Sequence, residues 1–217
     1  MVLITKGTTD TQGIVILETL WNVVEALIDT RLCANVQFRD VLHRLRTGRG
    51  TGMVTIELKL VQELSRIDHA PLFLVFMDLR KAYETVERER LNLTLERYGV
   101  GPLLCGLLET FWSHQQVVTR QNGFHVTAFP VTWRTTQGGV VFQTLFNVVI
   151  DNFIRIWLAM TVEDQRMAHD GMGEAVERCL GVLYANVRIV GSRDREWLHH
   201  LINIMVGLFQ GYGCGLR

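Results

Sequence analysis

One carboxylate stands out by where it falls. In the phrase FLVFMDLRKAYETV, Asp78 follows a run of six apolar residues, Leu72 to Met77. An unbroken run of that length suits a central strand covered on both faces. A charge at the end of such a strand is costly unless a cation or a helix N-terminus compensates it. Asp78 is therefore a candidate for holding a cation, against the plainer reading of a strand-end aspartate. Other residues that could do chemistry carry less. His199 and His200 are adjacent, so on a helix they point about 100° apart and make a poor metal pair. The stretch Gly48-Arg49-Gly50-Thr51-Gly52 lacks the Gly-Lys-Ser/Thr ending of a phosphate-binding P-loop. Cys33, Cys105, Cys179 and Cys214 show no C-x-x-C spacing and read as reduced core thiols, not zinc ligands.

The elements that must position Asp78 follow from periodicity. Glu18 to Val36 has a helical stripe through Leu20, Val23, Val24, Leu27, Ile28 and Leu32, with Thr19 as a candidate N-cap. Arg39 to Gly52 is basic and glycine-rich, hence partly loop. Thr51 to Ile67 is helical again through Ile56, Leu60, Val61, Leu64 and Ile67. After the strand, Glu87–Tyr98 and Pro102–His114 read as two helices broken by Gly-Val-Gly-Pro, with Pro102 suited to a first turn. Gln116 to Arg134 is β-like around Gln-Asn-Gly at 121–123. Phe142 to Met160 is a strongly apolar helix. Val182 to Ser192, VLYANVRIVGS, reads as a hairpin with Asn186 and Val187 at its tip. Asparagine tolerates a left-handed backbone there, but a β-branched residue does not. Asp194 then caps a last helix, Arg195 to Phe209. Strands covered by helices in this order fit an α+β fold.

Composition sets outer bounds. The 217 residues are 48% hydrophobic and 20% charged, which is globular. Lys and Arg number 22, as do Asp and Glu, so the chain is formally neutral. That argues against a purely electrostatic nucleic-acid binder but leaves room for a charged groove. The N-terminus lacks a signal-peptide pattern, and the apolar runs are short for a bilayer. A soluble intracellular protein, in cytoplasm or nucleus, with no membrane partner is expected.

The phrase FMDLRKAYETV resembles the first palm motif of reverse transcriptases of the group II intron and non-LTR retroelement type, F-x-D-x-x-K-A-F/Y-D-x-V. Asp78, Lys81, Ala82, Tyr83 and Val86 match it, and Glu84 stands for the usual Asp. Four further stretches resemble the family's motifs in the same order. VLITKGTTDTQGI is similar to an early fingers motif, with Thr5 for Pro and Gln12 for Arg. LHRLRTGRGT is similar to G-F-R-x-G-R-x-T. TQGGVVFQTLFNVVID is similar to T-Q-G-x-x-x-S-P-x-L-F-N, with Phe142 and Gln143 in place of Ser and Pro. LYANV lies where the family has Tyr-Ala-Asp-Asp.

The resemblance implies a right-hand polymerase fingers–palm, with a mixed or antiparallel palm sheet covered by helices. Residues 1–70 would be the fingers-like portion and 71–217 the palm-like portion of one continuous domain, with the thumb absent. It implies RNA-directed DNA synthesis on an RNA template and a DNA primer. In that chemistry a primer 3′-hydroxyl attacks an α-phosphate between two Mg²⁺ ions about 3.5–4 Å apart. Asp78 would be the retained catalytic and metal carboxylate. Asn186 and Val187 stand where the acidic pair belongs. The resemblance assigns nucleotide contacts to Tyr83, Gln137, Gly138, Lys81, Arg46 and Arg49. In a partly dry site each lost carboxylate weakens metal binding by several kcal/mol, so Mg²⁺ binding is expected to be weak or absent and the polymerase inactive. Two other readings stay open: a non-catalytic nucleic-acid-binding module, and a protein-interaction module.

Overall fold

In a computed structural model, the chain is described at residues 2–6, 10–14, 19–39, 42, 50–80, 86–114, 116–117, 120–121, 124–125, 129–130, 139–165, 182–184, 187–211 and 215–216. In chain order the elements are β1 (Val2–Lys6), β2 (Asp10–Ile14), α1 (Thr19–Asn35), α2 (Thr51–Ile67), β3 (Phe73–Arg80), α3 (Arg88–Arg97) and α4 (Pro102–Ser113). They continue with β4 (Gln116–Val117), β5 (Arg120–Gln121), β6 (Phe124–His125), β7 (Phe129–Pro130), α5 (Val140–Gln165), β8 (Val182–Tyr184), β9 (Val187–Ser192), α6 (Arg195–Gly211) and β10 (Gly215–Leu216). The fold is α+β. Its main sheet has four strands in the order β10-β3-β9-β8, and three two-stranded pairs stand apart: β1-β2, β4-β7 and β5-β6. Every strand pair among the described residues is antiparallel, not mixed. The chain groups into two units, residues 1–37 with 83–149 and residues 38–82 with 150–217.

The second unit holds the main sheet. Its core is the stripe Leu198, Leu201, Met205 and Phe209 of α6, met by Ile150, Phe153, Ile154 and Trp157 of α5. Phe153 stacks on Phe209 with ring centroids 3.8 Å apart at 18°. The indole N–H of buried Trp157 donates to the Leu201 carbonyl at 3.2 Å. Asp194 starts α6 as the sequence implies: its Oδ1 accepts the N–H groups of Glu196 at 2.8 Å and Trp197 at 3.2 Å, satisfying two donors that a helix start leaves open.

In the first unit, α3 and α4 are joined by Gly99 at φ +77°, a left-handed turn that glycine adopts without strain. Pro102 opens α4. Asn92 donates to Glu109 at 2.6 Å across the two helices, and Arg88 lies over the Trp112 ring at 5.5 Å. Trp21 of α1 meets Phe111 of α4 edge-on at 5.1 Å. β5 and β6 close with Gln121 opposite Phe124, the positions flanking the Asn-Gly signal.

Several expectations are corrected. The chain forms α1, but its buried face is Glu25, Ile28 and Leu32, while Leu20, Val23 and Leu27 are exposed. α2 has the expected bounds, yet buries Val54, Val61 and Ser65 and exposes Ile56, Leu60 and Ile67. Both helices are apolar on more than one side, so periodicity alone does not fix which side packs. Val187 is not at a hairpin tip. It pairs with Tyr184 and with Asp78 as the first residue of β9, where a β-branched side chain suits the strand. Strand β10 and the β1-β2 hairpin were not expected. Cys105 is a buried thiol, but Cys33 is exposed; Cys179 and Cys214 lie outside the described residues. One helix segment, Val140–Thr161, is long and apolar enough to cross a bilayer, and 72% of that stretch is buried inside the fold, as in a core helix.

The Phe153–Phe209 stack joins α5 to α6 in this unit. Phe209→Ala is expected to lower the unfolding free energy by about 3–5 kcal/mol, measured by urea denaturation with the m-value unchanged.

Candidate functional site

Phe, Leu, Val and Met along β3, and Val and Ile along β9, favour extended backbone and pair as the two inner strands of the sheet. Their register runs from Phe73 opposite Ser192 to Asp78 opposite Val187. Because side chains alternate, Leu74, Phe76 and Asp78 share one face of β3. Their cross-strand partners Gly191 and Ile189 occupy the same face, and the register sets position 187 opposite Asp78. At one end of that face Leu74 and Ile189 pack with Val54 and Leu58 of α2. Gly191 permits the approach: a Cβ there would lie 2.8 Å from Leu74 Cδ2. At the other end the face is open, with Phe76 60% exposed and Asp78 exposed.

The expected covering of β3 on both faces is not met at Asp78. Its strand is central but not covered on both faces, so the carboxylate stays in water and no burial cost demands a cation. What the register does supply is a placement. Asp78 stands directly across from the Val187 position, on an open sheet face. Valine carries no ligand atom, so this cross-strand pair offers one carboxylate. Among the described residues, no group of three or more His, Cys, Asp and Glu side chains could hold a metal ion. His199 and His200 are both exposed on α6. Asn186, Lys81, Tyr83, Gln137, Gly138, Arg46 and Arg49 lie outside the described residues.

Two buried acids were not singled out from sequence. Asp151 is fully buried in α5. Its Oδ1 accepts the Arg39 backbone N–H at 2.8 Å, and its Oδ2 accepts Arg155 Nε at 2.8 Å. Both oxygens are thus satisfied, as a buried carboxylate requires. They fix the start of the basic segment after residue 38 against α5.

Glu25, on α1, is 3% exposed. The N–H groups of Val140 and Val141, at the start of α5, donate to its carboxylate. Among the described residues, its Oε2 and the Oδ1 of Asp29, one turn along, are buried without a partner. Burial pushes the Glu25 carboxyl above its ordinary range, the two α5 amides pull it down, and the charge of Asp29 pushes it up again. The signal was present in the sequence: Glu25, Ile28 and Leu32 sit at i, i+3 and i+7, so a carboxylate lies on the buried stripe.

No protein-family model matches the chain. The fold is similar to that of a solved apo telomerase from Candida tropicalis, truncated from its C-terminal domain, with a TM-score of 0.58 and 9% identity. The likeness covers 92% of this chain and 39% of that one, so the chain spans well under half the length of the telomerase it matches. At that identity the likeness is one of fold alone.

Proposed function

We propose that the chain is a reverse-transcriptase-like domain whose palm has lost two-metal nucleotidyl transfer. The observation behind this reading is the register that sets Asp78 opposite Val187 on the open end of an antiparallel sheet. The fold likeness to a telomerase and the ordered motifs point the same way. The group II intron or non-LTR retroelement type rests on the motifs alone, as does the division into a fingers-like portion (1–70) and a palm-like portion (71–217).

In this reading Asp78 is the surviving carboxylate, and Asn186 and Val187 occupy the positions of the lost acids. Mg²⁺ takes hard oxygen ligands in near-octahedral geometry, and two such ions bring four positive charges into a small volume. One carboxylate, one neutral amide and one valine do not fit that demand, so no chemical step is assigned to a metal here. An RNA template and a DNA primer are the partners the reading names, on the Asp78 face. The mostly buried α5 supports a soluble protein, and an intracellular location is part of the proposal.

Three measurements test the reading. Replacing Asn186→Asp together with Val187→Asp is expected to raise Mg²⁺ affinity about tenfold or more, by isothermal titration. The unmodified chain is expected to give no primer extension above background. Robust, templated, Mg²⁺-dependent extension by the unmodified chain would contradict the reading. Because Asp78 is exposed, Asp78→Asn is expected to leave the melting temperature within about 2 °C while abolishing the metal affinity gained by the double replacement. A large drop in melting temperature would instead mark Asp78 as a structural residue.

A further inference from the structure

We propose that Glu25 is a positioning residue that caps the N-terminus of α5 from α1, and so fixes the helix end to which Gln137 and Gly138 are joined through Gly139. The first N–H groups of a helix have no partner within it. Ser, Thr, Asp or Asn just before the helix usually supplies the acceptor. Here the preceding residue is Gly139, which has no side chain to offer. Glu25 takes that role across the fold: the N–H groups of Val140 and Val141 donate to it, and a negative group at a helix N-terminus is favoured by the helix dipole.

Gly139 and Glu25 require each other. A Cβ on Gly139 would lie 2.4 Å from Glu25 Oε2 and 2.6 Å from Oε1. A side chain at 139 would therefore force the Glu25 carboxylate to move, and the glycine leaves it the space it occupies beside the helix start. The arrangement has a cost. Oε2 of Glu25 and Oδ1 of Asp29 are buried without donors, and two acids one turn apart on α1 repel when both are charged. Capping uses an acceptor oxygen and does not need the full charge. A neutral amide at position 25 should therefore keep the cap and relieve the repulsion.

The cap itself stands on this geometry. Its consequence for nucleotide binding rests on the reading under Proposed function, which assigns Gln137 and Gly138 to the nucleotide. The groups bearing on Glu25 are Asp29 from α1 and the backbone N–H groups of Val140 and Val141 from α5. A carboxyl raised above its ordinary range favours the folded state while protonated, and that contribution is lost as pH rises through the folded value. The melting temperature of the unmodified chain should thus fall relative to Glu25→Gln as pH rises from the ordinary carboxylate range toward 8.

The test compares Glu25→Gln, Glu25→Leu and Gly139→Ala with the unmodified chain. Amide hydrogen exchange at Val140 and Val141 is read by NMR, melting is followed against pH, and dTTP binding with Mg²⁺ is titrated. Exchange in Glu25→Gln should stay within about twofold of the unmodified chain, and in Glu25→Leu and Gly139→Ala it should quicken about fivefold or more. dTTP affinity should follow the same pattern. Unchanged exchange in both Glu25→Leu and Gly139→Ala overturns the cap. If Glu25→Leu does not fold, Gly139→Ala decides alone. The cap with unaltered dTTP affinity in Glu25→Leu overturns the positioning role. If the exchange pattern holds and the unmodified chain binds no dTTP, the positioning role for the nucleotide is overturned, while the cap and the reading of a palm that has lost its metal chemistry both stand.

Discussion

β3 and β9 pair from Phe73 opposite Ser192 to Asp78 opposite Val187, and the candidate site depends on that register more than on any residue within it. A one-residue slip would send every side chain of one strand to the other face. Such a slip is opposed by groups away from Asp78. Val190 is fully buried in β9. Gly191 gives Leu74 room to lie over the strand, and Leu74 with Ile189 packs against α2. The buried end of the strand pair thus decides what stands opposite what at the open end. Asp78 contributes little to that decision, since it sits in water.

The three acids described in detail show how burial changes what a carboxylate needs. Asp151 is buried and has donors for both oxygens. Glu25 is buried and takes its donors from a helix start, with one oxygen left over. Asp78 is exposed and needs no compensation. The acids that the fold requires bear on α5, Glu25 at its start and Asp151 from its middle.

Much of the fold was legible because local signals agreed with one another. α2, α4 and α6 begin where a glycine-rich loop, Pro102 and Asp194 place them. β3 ends in the charged stretch after its apolar run, and its inner position in the sheet was also expected. The packing sides of α1 and α2 were not legible. Leu20, Val23 and Leu27 look as apolar as Ile28 and Leu32, and only tertiary packing separates them. β10 is two residues long, and its pairing with β3 is a backbone matter in a glycine-rich stretch, so sequence carries almost no trace of it. The candidate site was half legible. Asp78 was found by an argument from burial that its exposure removes, and its relation to Val187 needed the strand register. Glu25 was missed because a single acid in an apolar stripe reads as solvated until the stripe is known to face inward.

In the proposed reading, position 187 is a ligand position across the strand pair from Asp78, held by a residue without a ligand atom. Mn²⁺ affinity, measured by electron paramagnetic resonance on Val187→Asp with and without Asp78→Asn, tests it most directly. Val187→Asp is expected to gain Mn²⁺ affinity over the unmodified chain, and adding Asp78→Asn to remove the gain, because the two carboxylates act as a pair. No gain, or a gain indifferent to Asp78→Asn, would contradict it.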